Sequence, residues 1–306
     1  MVKVSYVIPQ YNEVESLPEL VAQVRKAEKR PFEFVFVDDG STDGSFEILK
    51  NLKKQSKEPF TIIRFRKNQG KSAAMAVGFS YAQGDYVVTL DADLQDDPSQ
   101  VEKLLTKLDE GYDLAVGWRK NRQDPKQKIR SSYMFNTVVS KISGVYLHDM
   151  NCGMKAYRRQ VTKEIPMYGE LHRFVPVLAA RRGFRVTEVE IVHHERKYGK
   201  SKFGKTRALH AFFDLITTMF ITTFQNNPLK VFGAAGVIFI GIGVLVLLYL
   251  SGLHFMGQSI GRRPLLLFGI LMILSGIQIF STGLLGELFA STTEKTSRYP
   301  VAEVVK

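Results

Sequence analysis

The sequence predicts an α/β domain built on a mostly parallel sheet, followed by an amphipathic helix and two membrane-spanning helices. Three observations carry this prediction. Short β-branched runs alternate with helical periodicity through the first two thirds of the chain, acidic clusters close three of those runs, and two long apolar segments occupy the last third of the 306 residues.

Strands are expected at residues 2–8, 33–38, 60–65, 85–90 and 113–117, the first four rich in β-branched or aromatic residues. Ser16 followed three residues later by Glu19 is the pattern of a capping box, so the first helix is expected to begin at Ser16. Asp97 and Pro98 offer an N-cap and a first-turn proline for a later helix. Strand and helix in regular succession make βαβ units and a parallel sheet with helices on both faces. Ligands of such sheets bind beyond the carboxyl ends of the strands.

Polar clusters stand at those ends. The first strand closes in Pro9-Gln10-Tyr11-Asn12-Glu13, the second in Asp38-Asp39-Gly40-Ser41-Thr42-Asp43, and the fourth in Asp91-Ala92-Asp93-Leu94-Gln95-Asp96-Asp97. One such loop alone would read as a solvated turn with a helix cap. Three on one edge read as a site. In Asp91-Ala92-Asp93, alternate residues project the same way, so both carboxylates, joined by Gln95, can face a single cation. Oxygen ligands suit Mg²⁺ or Mn²⁺, and Mg²⁺ keeps positions for water and substrate phosphates, so an incomplete protein ligand set is expected. The chain offers no His-Cys cluster for zinc. Gly70 and Lys71 precede a small-residue helix, where backbone N–H groups can meet phosphate, although a plain turn at Gly70 accounts for the same residues equally well. A triphosphatase reading is poor, because only one glycine of the P-loop pattern is present. His193 and His194 are adjacent on an extended segment and point to opposite faces, so one should pack and the other face solvent.

Residues 231–250 and 265–290 are almost wholly apolar, and about 20 helical residues cross the roughly 30 Å of bilayer hydrocarbon. Lys200, Lys202, Lys205, Arg207 and Lys230 precede the first span, and Lys295, Arg298 and Lys306 follow the second. Only Arg262 and Arg263 lie between them, which puts the connecting loop outside. No cleavable leader is read ahead of the first strand, so the front domain is expected in the cytoplasm. Cys152, the only cysteine, suits a reducing compartment. Residues 206–224 place Leu209, Phe212, Phe213, Ile216, Phe220 and Phe224 on one helical face, fit either to lie in the bilayer interface or to cover the soluble domain. The expected organisation is therefore a catalytic domain at 1–205, an amphipathic helix at 206–228, spans at 229–252 and 264–290, an outer loop at 253–263 and a cytoplasmic tail at 291–306. Gly269, Gly276 and Gly283 recur every seven residues, a stripe that predicts helix association and a homo-oligomer. The net charge of +12 suits nucleic acid, anionic bilayers or phosphate-bearing substrates, and the spans favour the last two, so no nucleic-acid partner is expected.

Val7-Ile8-Pro9 with Tyr11-Asn12-Glu13, then DDGSTD, KNQGKSAA, DADLQDDP, Gly117-Trp118-Arg119, DMNCGMK and GKSKFG follow one another over roughly residues 2–205. Together they resemble the polyprenyl-phosphate glycosyltransferases of family 2, whose fold is the Rossmann-like GT-A domain. The resemblance implies a nucleotide-sugar donor, a polyprenyl phosphate acceptor and inversion at the sugar. It places Pro9, Tyr11, Glu13 and Asp38, with Asp39 and Lys71 nearby, at the nucleotide-sugar, and Asp91, Asp93 and Gln95 at the metal. Arg119, Arg130 and Ser132 fall where the lipid phosphate is held. Arg196, Ser201 and Lys202 fall in a loop closing over the donor diphosphate. Asp149 falls at a catalytic carboxylate, with Asp93 and Arg119 beside it in that role.

A phosphate monoester is largely ionised at neutral pH, since its second pKa is about 6, so the acceptor needs no strong base. Asp149 is therefore expected mainly to orient acceptor or sugar, with general base and plain turn residue as the other readings. Trp118 is the sole tryptophan, so the Gln-x-x-Arg-Trp motif of processive cellulose- or hyaluronan-type synthases is missing after Asp149, and transfer of one sugar is expected. Two spans look most like the bacterial glucose-transferring branch, which implies UDP-glucose and undecaprenyl phosphate. GDP-mannose is the alternative donor. An inactive membrane scaffold is opposed by the intact Asp91, Asp93 and Gln95.

Overall fold

The computed structural model describes residues 2–120, 122, 126–198, 228–259, 264–292 and 301–305. The chain divides into two compact units, Met1–Thr218 with Ser297–Lys306, and Met219–Thr296.

The first unit is organised by a sheet of eight strands in the order β7-β5-β6-β4-β1-β2-β3-β8. Its centre is parallel: β1 (Val4–Gln10) pairs with β2 (Phe32–Asp38) and β4 (Tyr86–Thr89), and β2 with β3 (Phe60–Phe65). β5 (Leu114–Trp118) and β7 (Val186–Glu190) are parallel to each other, while β6 (Lys155–Arg158) lies antiparallel between β4 and β5. The far edge is closed by β8 (Val301–Val305), antiparallel to β3. The five expected strands are present with ends shifted by up to two residues. The sequence reading lacked β6, whose four residues begin and end in a base, β7, whose alternation is only half-buried, and β8.

Helices cover the sheet for reasons visible in their spacing. In α1 (Leu17–Ala27), Leu17, Leu20, Val21 and Val24 form the buried face. The expected capping box does not form there. Ser16 turns its hydroxyl to Glu13 O at 3.0 Å, and Glu19 instead accepts from Lys197 Nζ at 2.7 Å. Asp97 does cap, accepting from Ser99 N–H at 2.9 Å. α2 (Ser45–Lys54) buries Phe46 and Leu49. α3 (Lys71–Tyr81) is buried through small residues, and at Gly78 an added Cβ would stand 2.4 Å from Val7 Cγ1. Only glycine lets α3 settle this low on β1, which brings its N-terminus down to the strand ends. α4 (Val101–Asp109) buries Val101, Leu104, Leu105 and Leu108. α5 (Lys126–Ser143) follows β5; its Val139 and Phe135 pack with Met150, Phe174 and Val177. α6 (Arg159–Glu164) and α7 (Val175–Arg181) complete the layer.

The second unit is a pair of helices, α8 (Pro228–Phe255) and α9 (Pro264–Thr292), each long and apolar enough to cross a membrane, with hydropathies of 2.7 and 2.1. They approach through glycine. A Cβ on Gly276 would lie 2.7 Å from Gly236 O, and one on Gly243 would lie 2.7 Å from Gly269 O. One on Gly283 would meet Phe232 Cβ at 2.9 Å. The seven-residue stripe read as an oligomer contact is thus used inside the chain, where it admits α8. Glu287 accepts from Leu229 N–H at 3.3 Å, capping the start of α8. The expected amphipathic helix lies outside the described residues except for Pro228, which opens α8.

Candidate active site

At the carboxyl ends of β1 and β2, two loops are stitched together. Asn12 adopts φ 52°, which asparagine tolerates. Its N–H donates to Ser41 Oγ at 2.9 Å and its Oδ1 accepts from Thr42 N–H at 2.8 Å. Glu13 N–H donates to Ser45 Oγ at 2.9 Å. Pro9, Tyr11 and Glu13 line this rim, partly exposed. Asp38 is fully buried, accepting from Ser41 N–H at 2.9 Å with Arg64 Nε 3.5 Å away, and burial raises its pKa. Asp39 spends both oxygens on the neighbouring loop, accepting from Gln69 N–H at 2.6 Å and Gly70 N–H at 2.9 Å. It thereby fixes the turn that delivers Lys71, and Gly70, at φ 89°, is the residue that allows that turn.

The β4 end carries Asp91 and Asp93. Between Asp93 and Gln95 sits Leu94 at φ 60°, a left-handed conformation that costs a non-glycine residue roughly 1–2 kcal/mol. Strain of this kind persists where the surroundings hold it, and here Gln95 N–H donates to Asp93 Oδ1 at 3.3 Å while His194 N–H donates to Gln95 O at 2.8 Å. Each carboxylate faces a cation from a distant element. Lys71 Nζ pairs with Asp91 Oδ1, and Arg196 Nη2 donates to Asp93 Oδ2 at 2.6 Å. Arg196 Nη1 also lies 3.5 Å from Glu13 Oε1, so one side chain ties the β1 loop to the β4 loop. Burial pushes the Asp91 carboxyl up, but the Lys71 ammonium outweighs it and holds the group below its ordinary value. Asp93 is raised, by burial and by the charge on Asp91.

On the far side, Arg119 and Asp149 form a bidentate pair, Nε to Oδ2 at 2.7 Å and Nη2 to Oδ1 at 3.0 Å, with only 12% and 3% of the side chains exposed. Such a fork is the strong form of the ion pair, and it occupies both carboxylate oxygens. The resemblance sets both among the catalytic residues, with Arg119 also at the lipid phosphate; the fold joins them directly as one unit. Ser132 accepts from Arg122 Nη1 at 2.9 Å rather than joining Arg119, and Arg130 is exposed on α5.

Three buried groups near the pair lie inside the sequence motifs without having been read there as site residues. Asp96 is pushed up to about 7 by burial, with Arg119 pulling the other way. Cys152 is pushed up by burial. Lys155, pushed down to about 8 by burial, donates to Cys152 O. His172, largely buried with 11% of its side chain exposed, lies 2.8 Å from Ser72 Oγ and borders Lys71, and desolvation lowers its pKa. No sequence signal marked His172. His193 is buried and His194 exposed, as their alternation requires. Ser201 and Lys202 lie outside the described residues. Among the described residues, no three His, Cys, Asp or Glu side chains converge as metal ligands.

A mostly parallel sheet with acidic loops at its carboxyl edge, basic side chains laid across them and a buried Arg-Asp fork alongside has the form of a GT-A type sugar-transfer domain. A family model described as glycosyl transferase family 2 matches residues 5–166. Dodecaprenyl-phosphate galacturonate synthase of Rhizobium johnstonii is 35% identical over 307 residues, covering 97% of this chain and 90% of the relative. Undecaprenyl-phosphate 4-deoxy-4-formamido-L-arabinose transferase of Pseudomonas savastanoi pv. phaseolicola is 37% identical over 311 residues, covering 99% and 91%. Among solved structures, glucosyl-3-phosphoglycerate synthase of Mycobacterium tuberculosis superposes with TM-score 0.57 at 16% identity over 72% of this chain and 79% of that one. Mannosyl-3-phosphoglycerate synthase of Rubrobacter xylanophilus gives 0.55 at 17% over 72% and 74%. Those two likenesses define the fold. The chain belongs to glycosyl transferase family 2 and is a glycosyltransferase.

Proposed function

We propose that this enzyme transfers one sugar, with inversion, from a nucleotide-sugar to a polyprenyl phosphate at the cytoplasmic face of a membrane in which α8 and α9 anchor it. The observation that carries the reading is the Asp91 and Asp93 pair, each matched to a basic side chain from another element, next to the Arg119–Asp149 fork. Among the described residues no third acidic or histidine side chain joins these two as a ligand, and so open a pair suits Mg²⁺ or Mn²⁺, which complete their shells with water and phosphate. Asp91, Asp93 and Gln95 would hold that cation, and when bound it supplies neutralisation of the departing diphosphate. Lys71 and Arg196 add fixed positive charge on the same side, and Asp38 with Tyr11 lines the nucleoside end. On the opposite side Arg119 meets the acceptor phosphate and Asp149 fixes the guanidinium. An ionised phosphate oxygen forms the bond to the anomeric carbon as the bond to the diphosphate breaks. Asp149 orients rather than removes a proton, because both its oxygens are already engaged by Arg119.

The similar polyprenyl-phosphate enzymes are named for galacturonate and for 4-deoxy-4-formamido-L-arabinose. They lend no support to glucose, and we take a modified sugar of that kind as the donor in place of the expected UDP-glucose or GDP-mannose. The test incubates purified full-length enzyme, Mg²⁺ or Mn²⁺ and a short polyprenyl phosphate with a panel of UDP- and GDP-sugars that includes uronates and 4-amino sugars. Acceptor-dependent release of nucleoside diphosphate names the donor. Asp91→Ala and Asp93→Ala, or EDTA, should abolish turnover. Transfer undiminished by EDTA, or by alanine at both positions, would end this reading.

A further inference from the structure

Asp149 follows His148, and three of the four polar groups of His148 are tied. Its N–H donates to Glu188 Oε2 at 2.8 Å, its ring Nδ1 lies 2.5 Å from Glu188 Oε1, and its carbonyl accepts from Asn136 Nδ2 at 2.6 Å. The imidazole lies flat on Trp118, with centroids 4.1 Å apart and planes 15° from parallel. Trp118 in turn precedes Arg119. The two residues of the buried fork are therefore each preceded by one member of a stacked ring pair, and Glu188 clamps that stack from β7. Strand geometry explains why Glu188 can do so. Val116 is paired with Glu188 and Trp118 with Glu190, and alternation puts Glu188 and Glu190 on one face, where Glu190 takes Lys120 at 2.7 Å.

Stability is a poor explanation of the arrangement. The His148 side chain is 64% exposed and that of Glu188 20%, and even a charged pair with so open a partner contributes only about 0–1 kcal/mol. What three tethers and a stack on one exposed residue achieve is a fixed path for the chain into Asp149. We infer that Glu188, acting through His148 and its stack on Trp118, is a positioning residue that sets the Arg119–Asp149 fork for the acceptor. The inference rests on the proposed role of that fork.

The test uses purified full-length enzyme with saturating donor and a short polyprenyl phosphate. Glu188→Ala should lower kcat/KM for the acceptor about tenfold, as misplacement of a reacting group does, and leave the donor KM unchanged. Glu188→Gln, which still accepts a hydrogen bond, should recover most of that loss. Trp118 is the only tryptophan, so its emission should change when Glu188→Ala frees the imidazole. Combined with Asp149→Asn, Glu188→Ala should add no further loss, because residues acting as one unit are not additive. If Asp149→Asn leaves no measurable turnover, the same cycle is read as acceptor affinity from Trp118 emission. Should Glu188→Ala fail to fold, His148→Phe keeps a flat ring on Trp118, lacks the ring nitrogen, and should lose activity in the same direction. Wild-type acceptor kinetics in the folded Glu188 and His148 variants, or losses that multiply with Asp149→Asn, would overturn the inference. Wild-type transfer by Asp149→Asn itself would overturn instead the reading of the fork on which it rests.

Discussion

Gly153 sits where a side chain has no room: a Cβ there would stand 2.4 Å from Asp91 Oδ2. The motif that carries Asp149 thus also supplies the wall behind the expected metal carboxylate. Gly153→Ala must push Asp91 aside, and turnover should fall about 100-fold with the thermal midpoint little changed; a circular-dichroism melt alongside the assay separates the two. Lys155 is the residue whose effect should depend on pH. Its folded pKa of about 8 lies below the ordinary 10.5 because it is buried. Between those values the unfolded chain holds a proton that the folded one lacks, so stability rises with pH across that window. Below pH 8 both states are charged and the fold bears the whole penalty, roughly 3 kcal/mol at 1.36 kcal/mol per unit. Lys155→Met should therefore melt higher than wild type at pH 7, lose that advantage by pH 10, and transfer sugar more slowly, since Lys155 adds to the larger effect of Lys71 in lowering the Asp91 pKa. Asp91 and Asp93 are visible in the sequence as an acidic cluster closing β4, but residues 92–93 form a turn rather than the extended run whose alternation would aim both side chains one way. The engagement of Asp39 with backbone N–H groups and the joining of Arg119 to Asp149 are not visible there, because their partners lie about thirty residues away and no local period records them.

At the level of elements, legibility follows burial on both faces. The central strands β1 to β4 read as β-branched or aromatic runs because helices cover both sides, whereas β6 and β7 carry charges that a sequence pattern assigns to loops. Capping was misread for a related reason. Ser16 and Glu19 have the spacing of a box, but Lys197 arrives from the far end of the domain and takes Glu19. Gly269, Gly276 and Gly283 of α9 read in the sequence as a helix-contact surface, and within the chain that surface admits α8, since a stripe specifies close approach without specifying which helix approaches. Gly276→Val would drive its side chain into Gly236 O and part the two helices. The detergent-solubilised variant should show faster amide exchange in both helices while the exchange of β1 to β4 stays as in wild type.

For the molecule as a whole, β8 matters most. After the second apolar helix the chain comes back and lays residues 301–305 along β3, pairing Ile62 with Val305 and Arg64 with Glu303. An exposed strand edge invites pairing with other chains, and here the protein covers it with its own tail. Removing residues 301–306 should leave the edge bare and make the purified enzyme aggregate more readily in light scattering. A second expectation concerns sidedness. Cysteine introduced at Glu303 and at Gln258, in a background where the buried Cys152 is replaced by serine, should react with a membrane-impermeant maleimide from opposite sides of sealed vesicles.

That return also imposes a rule of parity. A polypeptide that departs from a sheet and is later woven back into it has traversed any intervening barrier an even number of times. A lone crossing, or a third, would strand residues 301–305 on the wrong side, so any insertion that reverses only one of the two hydrophobic helices would leave β3 without its neighbour.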